Sequence, residues 1–182
     1  MREIDPRSKV TRRVFLRNSA TAAPAAAALA AGLTIGADAA WAQSAKNLKP
    51  ATLATLARLA RDLYPHDQLA DTFYIKAISG YDAKSGTDAA FKKLMEDGVA
   101  ALDAAATAKF KSNYLAVGWE EQRVSLLQAI EKSAFFQKVR GDLIVGLYNN
   151  PEVWAKFRYE GESASKGGYI NRGFNDIDWL KA

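Results

Sequence analysis

The stretch Thr87-Asp88-Ala89-Ala90-Phe91-Lys92-Lys93-Leu94-Met95-Glu96-Asp97-Gly98-Val99-Ala100-Ala101-Leu102-Asp103-Ala104-Ala105 sets the fold class. Phe91, Leu94, Met95, Gly98, Val99, Leu102 and Ala105 recur at three- and four-residue intervals, and Lys92, Lys93, Glu96 and Asp97 fall between them. On a helix this spacing gathers apolar side chains on one face and charges on the other. The segment therefore predicts a core-packing amphipathic helix with Thr87 as its N-cap.

The same period continues on both sides. From Ala51 to Tyr64 the residues Leu53, Leu56, Ala57, Ala60, Leu63 and Tyr64 form a stripe, with Arg58, Arg61 and Asp62 mostly off it; Pro50 suits the start and Pro65 the stop. A shorter helix is predicted over Leu69 to Tyr81, ending at Gly80 and a Ser85-Gly86 loop. Beyond a looser stretch from Lys109 to Gly118, Glu120 to Lys132 places Arg123, Leu126, Leu127 and Ile130 in register. Ser133 is positioned to cap Ala134 to Leu147, a segment apolar around most of its circumference and therefore expected at the centre of the bundle. Asn150-Pro151-Glu152 combines an N-cap, a first-turn proline and an acid at the positive end of a short helix holding Trp154 and Phe157. After Tyr159 the period stops. The expectation is an all-α chain: a small bundle of about five to six helices over residues 43–159, then an irregular aromatic segment over 160–182.

The chain's 182 residues are 49% hydrophobic and 25% charged, which suits one globular domain plus a short extra segment. With no cysteine, it forms no disulfide, thiolate zinc site, iron–sulfur cluster, C-x-x-C-H haem attachment or thiol nucleophile. A single histidine, His66, excludes a multi-histidine metal cage but leaves a triad arithmetically open.

The net charge of +5 is unevenly placed. Residues 1–42 carry six basic and three acidic groups, so the remaining 140 are left with only +2, too little for a nucleic-acid groove. The first segment runs from Thr11-Arg12-Arg13-Val14-Phe15-Leu16-Arg17 through an Ala-rich stretch, Ala20 to Gly36, to Ala40-Trp41-Ala42. It resembles a twin-arginine translocation signal, with Arg12 and Arg13 as the address, Phe15 and Leu16 as its hydrophobic pair, and Ala40 and Ala42 as an A-x-A cleavage site. Arg17 stands where lysine is commoner. A membrane anchor is the competing reading, weakened because a span needs about 20 predominantly apolar residues and Pro24 interrupts this run. The resemblance implies export of the folded chain by the twin-arginine translocase to the periplasm, with cleavage after Ala42. Proteins sent this way usually acquire a cofactor first, themselves or through a bound partner.

Cofactor ligands are hard to find. His66 follows a helix and could be oriented by Asp67 or the helix end, but no nucleophile elbow accompanies it. Asp176 and Asp178, and Glu120 with Glu121, do not form a placed acid–base couple. No G-x-G-x-x-G or P-loop occurs, and Lys166-Gly167-Gly168 reads as a flexible turn. No catalytic, cofactor-binding or metal-ligating residue is therefore expected. The positive signal is aromatic: Tyr148, Trp154, Phe157, Tyr159, Tyr169, Phe174 and Trp179 place seven of the chain's 19 rings in the last 35 residues, with Arg158 and Arg172 among them. Aromatic and Arg side chains anchor interfaces. Tyr64, His66, Tyr148, Trp154, Tyr159, Tyr169, Arg172, Phe174 and Trp179 are the candidate docking residues; the alternative is that the tail folds over its own bundle.

The twin-arginine signal, Leu63-Tyr64-Pro65-His66-Asp67, Leu147-Tyr148-Asn149-Asn150-Pro151-Glu152-Val153-Trp154 and the tail Tyr159-Glu160-Gly161, Lys166-Gly167-Gly168-Tyr169, Arg172-Gly173-Phe174, Asp178-Trp179 together resemble the gluconate 2-dehydrogenase subunit 3 family. The resemblance implies a small, non-catalytic subunit of a periplasmic dehydrogenase complex. Its large subunit, of the glucose–methanol–choline oxidoreductase class, holds FAD, and a membrane-bound cytochrome c with haem c commonly accepts the electrons. The small chain would supply the export signal and the large one the flavin. The substrate, a sugar, sugar acid or alcohol, does not carry over. Two other readings stand beside it: a free-standing periplasmic module that binds a ligand or peptide, and a cofactor-independent enzyme using His66.

Overall fold

The computed structural model describes residues 41–172 and is all-α among them. Its helices are α1 (Pro50–Leu63), α2 (Asp71–Ile78), α3 (Gly80–Thr87), α4 (Ala89–Phe110), α5 (Glu120–Ala129), α6 (Ala134–Tyr148) and α7 (Pro151–Lys156), with 3-10 turns at Tyr114–Ala116 and Ala164–Lys166. All six expected helices are present. The seventh, α3, occupies the stretch read as a Ser85-Gly86 loop: Gly86 lies against the Asn47 side chain, where a Cβ would come within 2.9 Å of the amide atoms.

That extra helix also moves a cap. Because α3 runs through Thr87, whose hydroxyl donates back to the Lys84 carbonyl at 3.1 Å, the extended N-cap geometry falls to Asp88. Its carboxylate accepts the Phe91 N–H at 2.8 Å. The α4 stripe holds for Phe91, Met95, Val99 and Leu102, but one turn on Ala106 is buried and Ala105 faces out. Ser133 caps α6 through the Phe136 N–H at 3.2 Å, and Asn150 caps α7 through the Glu152 N–H, also at 3.2 Å.

The centre of the bundle is α1, not α6. Thr52, Leu53, Ala54, Thr55, Leu56, Ala57, Leu59, Ala60 and Asp62 are all buried, and α1 packs against α2, α4, α5 and α6. Small residues allow this helix to be surrounded. α6 buries Phe135, Phe136, Val139, Leu143 and Leu147 but leaves Ile144 49% and Val145 63% exposed. Three consecutive apolar residues sweep about 200° of a helix, so one core cannot cover Leu143, Ile144 and Val145 together. Two glycines set close approaches. A Cβ on Gly98 of α4 would lie 2.2 Å from the Phe135 ring of α6, and one on Gly146 would lie 2.9 Å from the Ala77 carbonyl oxygen of α2.

Asp62 is a further departure from the stripe. It is 6% exposed and holds Arg123 of α5 through hydrogen bonds of 2.8 and 3.0 Å, while the buried Tyr114 hydroxyl donates to it at 2.7 Å. Arg123 also donates to the Val117 carbonyl at 2.8 Å, which fixes the connection between α4 and α5. Ahead of α1, Ala42 and Leu48 lie in the core with 2% and 4% exposure, so the expected cleavage point after Ala42 falls inside packed structure. Among the described residues no helix is long and apolar enough to cross a membrane.

Candidate docking groove

The turn after α1 is built around one buried hydroxyl. Tyr74 of α2 donates to the Tyr64 carbonyl at 2.6 Å and accepts the His66 N–H at 3.1 Å, while Arg61 donates to the Leu69 carbonyl at 2.9 Å and pairs with Asp71 at 3.1 Å. Pro65 ends the helix and these bonds satisfy the backbone that follows. His66 is thereby placed over the end of α6.

Its imidazole meets Tyr148, not Asp67: Nε2 lies 2.6 Å from the Tyr148 hydroxyl, with ring centroids 5.7 Å apart, and the Phe157 ring packs edge-on at 4.8 Å. Tyr64 completes the cluster by edge contact with Tyr148 at 5.5 Å. Burial lowers the histidine's pKa, reinforced by the positive charge of Arg61, and burial raises that of Tyr148, with Tyr64 and Tyr74 adding to it. Both groups are thus held neutral near pH 7. Among the described residues this neutral pair is hydrogen-bonded to no carboxylate, and its geometry orients the two side chains against each other. Among the described residues no group of three His, Asp or Glu side chains is arranged to hold a metal ion.

Tyr148 joins this cluster to an open apolar groove. Ile144, Val145, Tyr148, Asn149, Trp154, Tyr159 and Glu162 line about 390 Å³ between the last turn of α6, α7 and the chain that follows. Trp154 is locked in place: its indole N–H donates to the Tyr148 carbonyl at 2.6 Å, and Tyr159 packs edge-on against it at 5.4 Å. The chain turns back here through Arg158, which has a left-handed φ of 57°, and through Gly161. Gly161 has φ of 95° and lies close enough to Trp154 that a Cβ would come within 3.2 Å of the ring.

The candidates named from sequence thus divide. Tyr64, His66, Tyr148, Trp154 and Tyr159 come together at one end of the bundle. The start of the tail folds back on Trp154, and Arg172 and Lys166 both bond Glu160, yet Tyr169 remains 63% and Ile170 83% exposed. Phe174 and Trp179, like Arg12, Arg13, Phe15, Leu16 and Ala40, lie outside the described residues. The sequence expectation of a central α6 hides Ile144 and Val145; the unbroken run Leu143-Ile144-Val145 is the signal that part of this helix faces out. Comparisons of the chain with protein families, curated proteins and solved structures give no match.

Proposed function

We propose that this chain is the non-catalytic small subunit of a periplasmic FAD-dependent dehydrogenase complex, of the gluconate 2-dehydrogenase subunit 3 type, and that it docks and stabilises the flavin-bearing large subunit and supplies its twin-arginine export signal. The observation that carries the reading is the groove of Ile144, Val145, Tyr148, Trp154 and Tyr159, a largely apolar surface with rigidly held rings. Such surfaces mark protein contacts, and preorganised aromatics lose little conformational freedom on binding. The groove is open, whereas small-ligand sites enclose most of their ligand, which favours a protein occupant over the ligand-binding alternative. In this reading a membrane-bound cytochrome c, with its haem, is the further member of the complex that takes the electrons onward.

The test is purification of the tagged chain from its native host, with visible absorbance and mass analysis of what accompanies it. A flavin-containing oxidoreductase subunit in stoichiometric amount supports the proposal. A well-behaved monomer without flavin overturns it.

A further inference from the structure

Residues 41–49 are bound into the fold more firmly than a segment adjoining a removable leader needs to be. Ala42 is 2% exposed and its carbonyl accepts the Ala45 N–H at 3.2 Å, while the Trp41 carbonyl accepts both the N–H and the hydroxyl of Ser44, at 3.0 and 2.7 Å. The next residues are gripped by two carboxylates. Asp82 of α3 accepts the N–H groups of Lys46, Asn47 and Leu48 at 3.0, 2.9 and 2.9 Å, and Asn47 returns a bond to the Asp82 carbonyl at 3.0 Å. Glu96 of α4 accepts the Lys49 N–H at 2.8 Å and the Thr52 hydroxyl at 2.9 Å. Four consecutive amides are therefore committed to α3 and α4, and Leu48 is buried in the core.

We propose that the fold gates removal of the leader: Asp82 latches residues 46–48, and the Ala42–Gln43 bond stays closed to a peptidase until that latch opens. The inference rests on the export reading of residues 1–42. Cleavage adds water across the Ala42–Gln43 amide, leaving a carboxyl group on Ala42 and a free amine on Gln43. A peptidase that binds its substrate as an added extended strand, with alternate side chains in pockets, must draw the Ala42 methyl out of the core and straighten the turn at Trp41 to Ala45. Only local opening of the segment allows this. A chain that folds before export arrives at the peptidase already latched, so its apolar run from Ala20 to Gly36 stays covalently attached while the complex assembles.

The experiment uses the full chain, folded or urea-unfolded and freshly diluted, treated with purified leader peptidase in detergent micelles and followed by intact mass. The unfolded chain should be cut after Ala42, the folded chain at least ~10-fold more slowly, and folded Asp82→Ala at a rate between the two. Equal rates for folded and unfolded wild type overturn the gate while leaving the export reading intact. Equal rates for folded wild type and folded Asp82→Ala overturn the role of Asp82. An unfolded chain that is not cut after Ala42 overturns the leader reading and the gate with it. The wild-type comparison decides even where the variant loses its helices.

Discussion

Asp62 of α1 and Arg123 of α5 form a two-point ion pair in the core, 2.8 and 3.0 Å long, with side chains only 2% and 8% exposed. The Asp62 hydrogen bond raises the arginine's pKa, and burial raises that of Tyr114, whose hydroxyl stays a donor to the same carboxylate. Removing one partner strands the other charge in a buried site. Asp62→Ala or Arg123→Ala should each cost about 3–5 kcal/mol in urea denaturation. The double change Asp62→Leu with Arg123→Met should cost less than either single one, because neither charge is then left unpaired. A double variant less stable than both singles would show that the pair contributes net stability to the bundle.

The two glycines of different surroundings should respond in opposite directions. Gly98→Ala drives a methyl into the Phe135 ring and should destabilise by about 1–3 kcal/mol. Gly141 of α6 has nothing within 4 Å of its absent Cβ. Gly141→Ala should therefore stabilise by up to about 1 kcal/mol, read as a higher thermal midpoint. A lower midpoint for Gly141→Ala would refute this description of the α6 surface.

His66 makes the bundle sensitive to mild acid. Its pKa is lowered in the folded chain by burial and Arg61, so as pH falls below about 6.5 the unfolded chain takes up the proton first. Stability from this group is intact above that pH and declines toward the lower folded pKa. Between pH 7 and 5 the wild type should lose stability relative to His66→Gln in parallel urea titrations. Identical pH slopes for the two proteins would contradict the burial assigned to the imidazole.

Asp82 and Glu96 should hold residues 46–49 to an unusually acidic limit. Burial works against each charge, but the N–H donors of Lys46, Asn47 and Leu48 on Asp82, and of Lys49 on Glu96, outweigh it and lower both pKa values. Depressed carboxylates stabilise above the unfolded value of about 4 and lose that contribution as pH falls through the folded one. In a chain with Trp119, Trp154 and Trp179 changed to Phe, Trp41 emission should stay constant from pH 7 to about 4 and shift red below. A red shift above pH 5, with helical dichroism unchanged, would show that these bonds do not hold the segment.

Much of this fold was legible because its helices obey simple periodicity. Met95, Val99 and Leu102 announced α4, Ser133 and Asn150 announced their helices as caps, and Pro50 and Pro65 bracketed α1. The failures share a cause: local pattern does not record what a distant segment supplies. Asp62 looked like a surface residue because its partner lies 61 positions away. Gly86 looks like a loop in sequence because Asn47, which needs the space, precedes it by 39 positions. At the site, composition points to Tyr148, Trp154 and Tyr159, whereas the run Leu143-Ile144-Val145 says only that part of α6 must face out; that Ile144 and Val145 are the exposed part follows from α1 taking the central position.

The docking groove is the central claim, and charge placed on its floor tests it most directly. Ile144 and Val145 are exposed on α6, so Ile144→Asp with Val145→Asp should leave helical dichroism and the thermal transition nearly unchanged. If the groove seats the flavin subunit, burying two carboxylates against an apolar partner should weaken the complex by at least ~100-fold, since each ~1.4 kcal/mol is tenfold. The flavin absorbance that accompanies the tagged chain should then disappear. Undiminished flavin in complexes of the folded double variant would contradict the account and place the docking surface elsewhere on the chain.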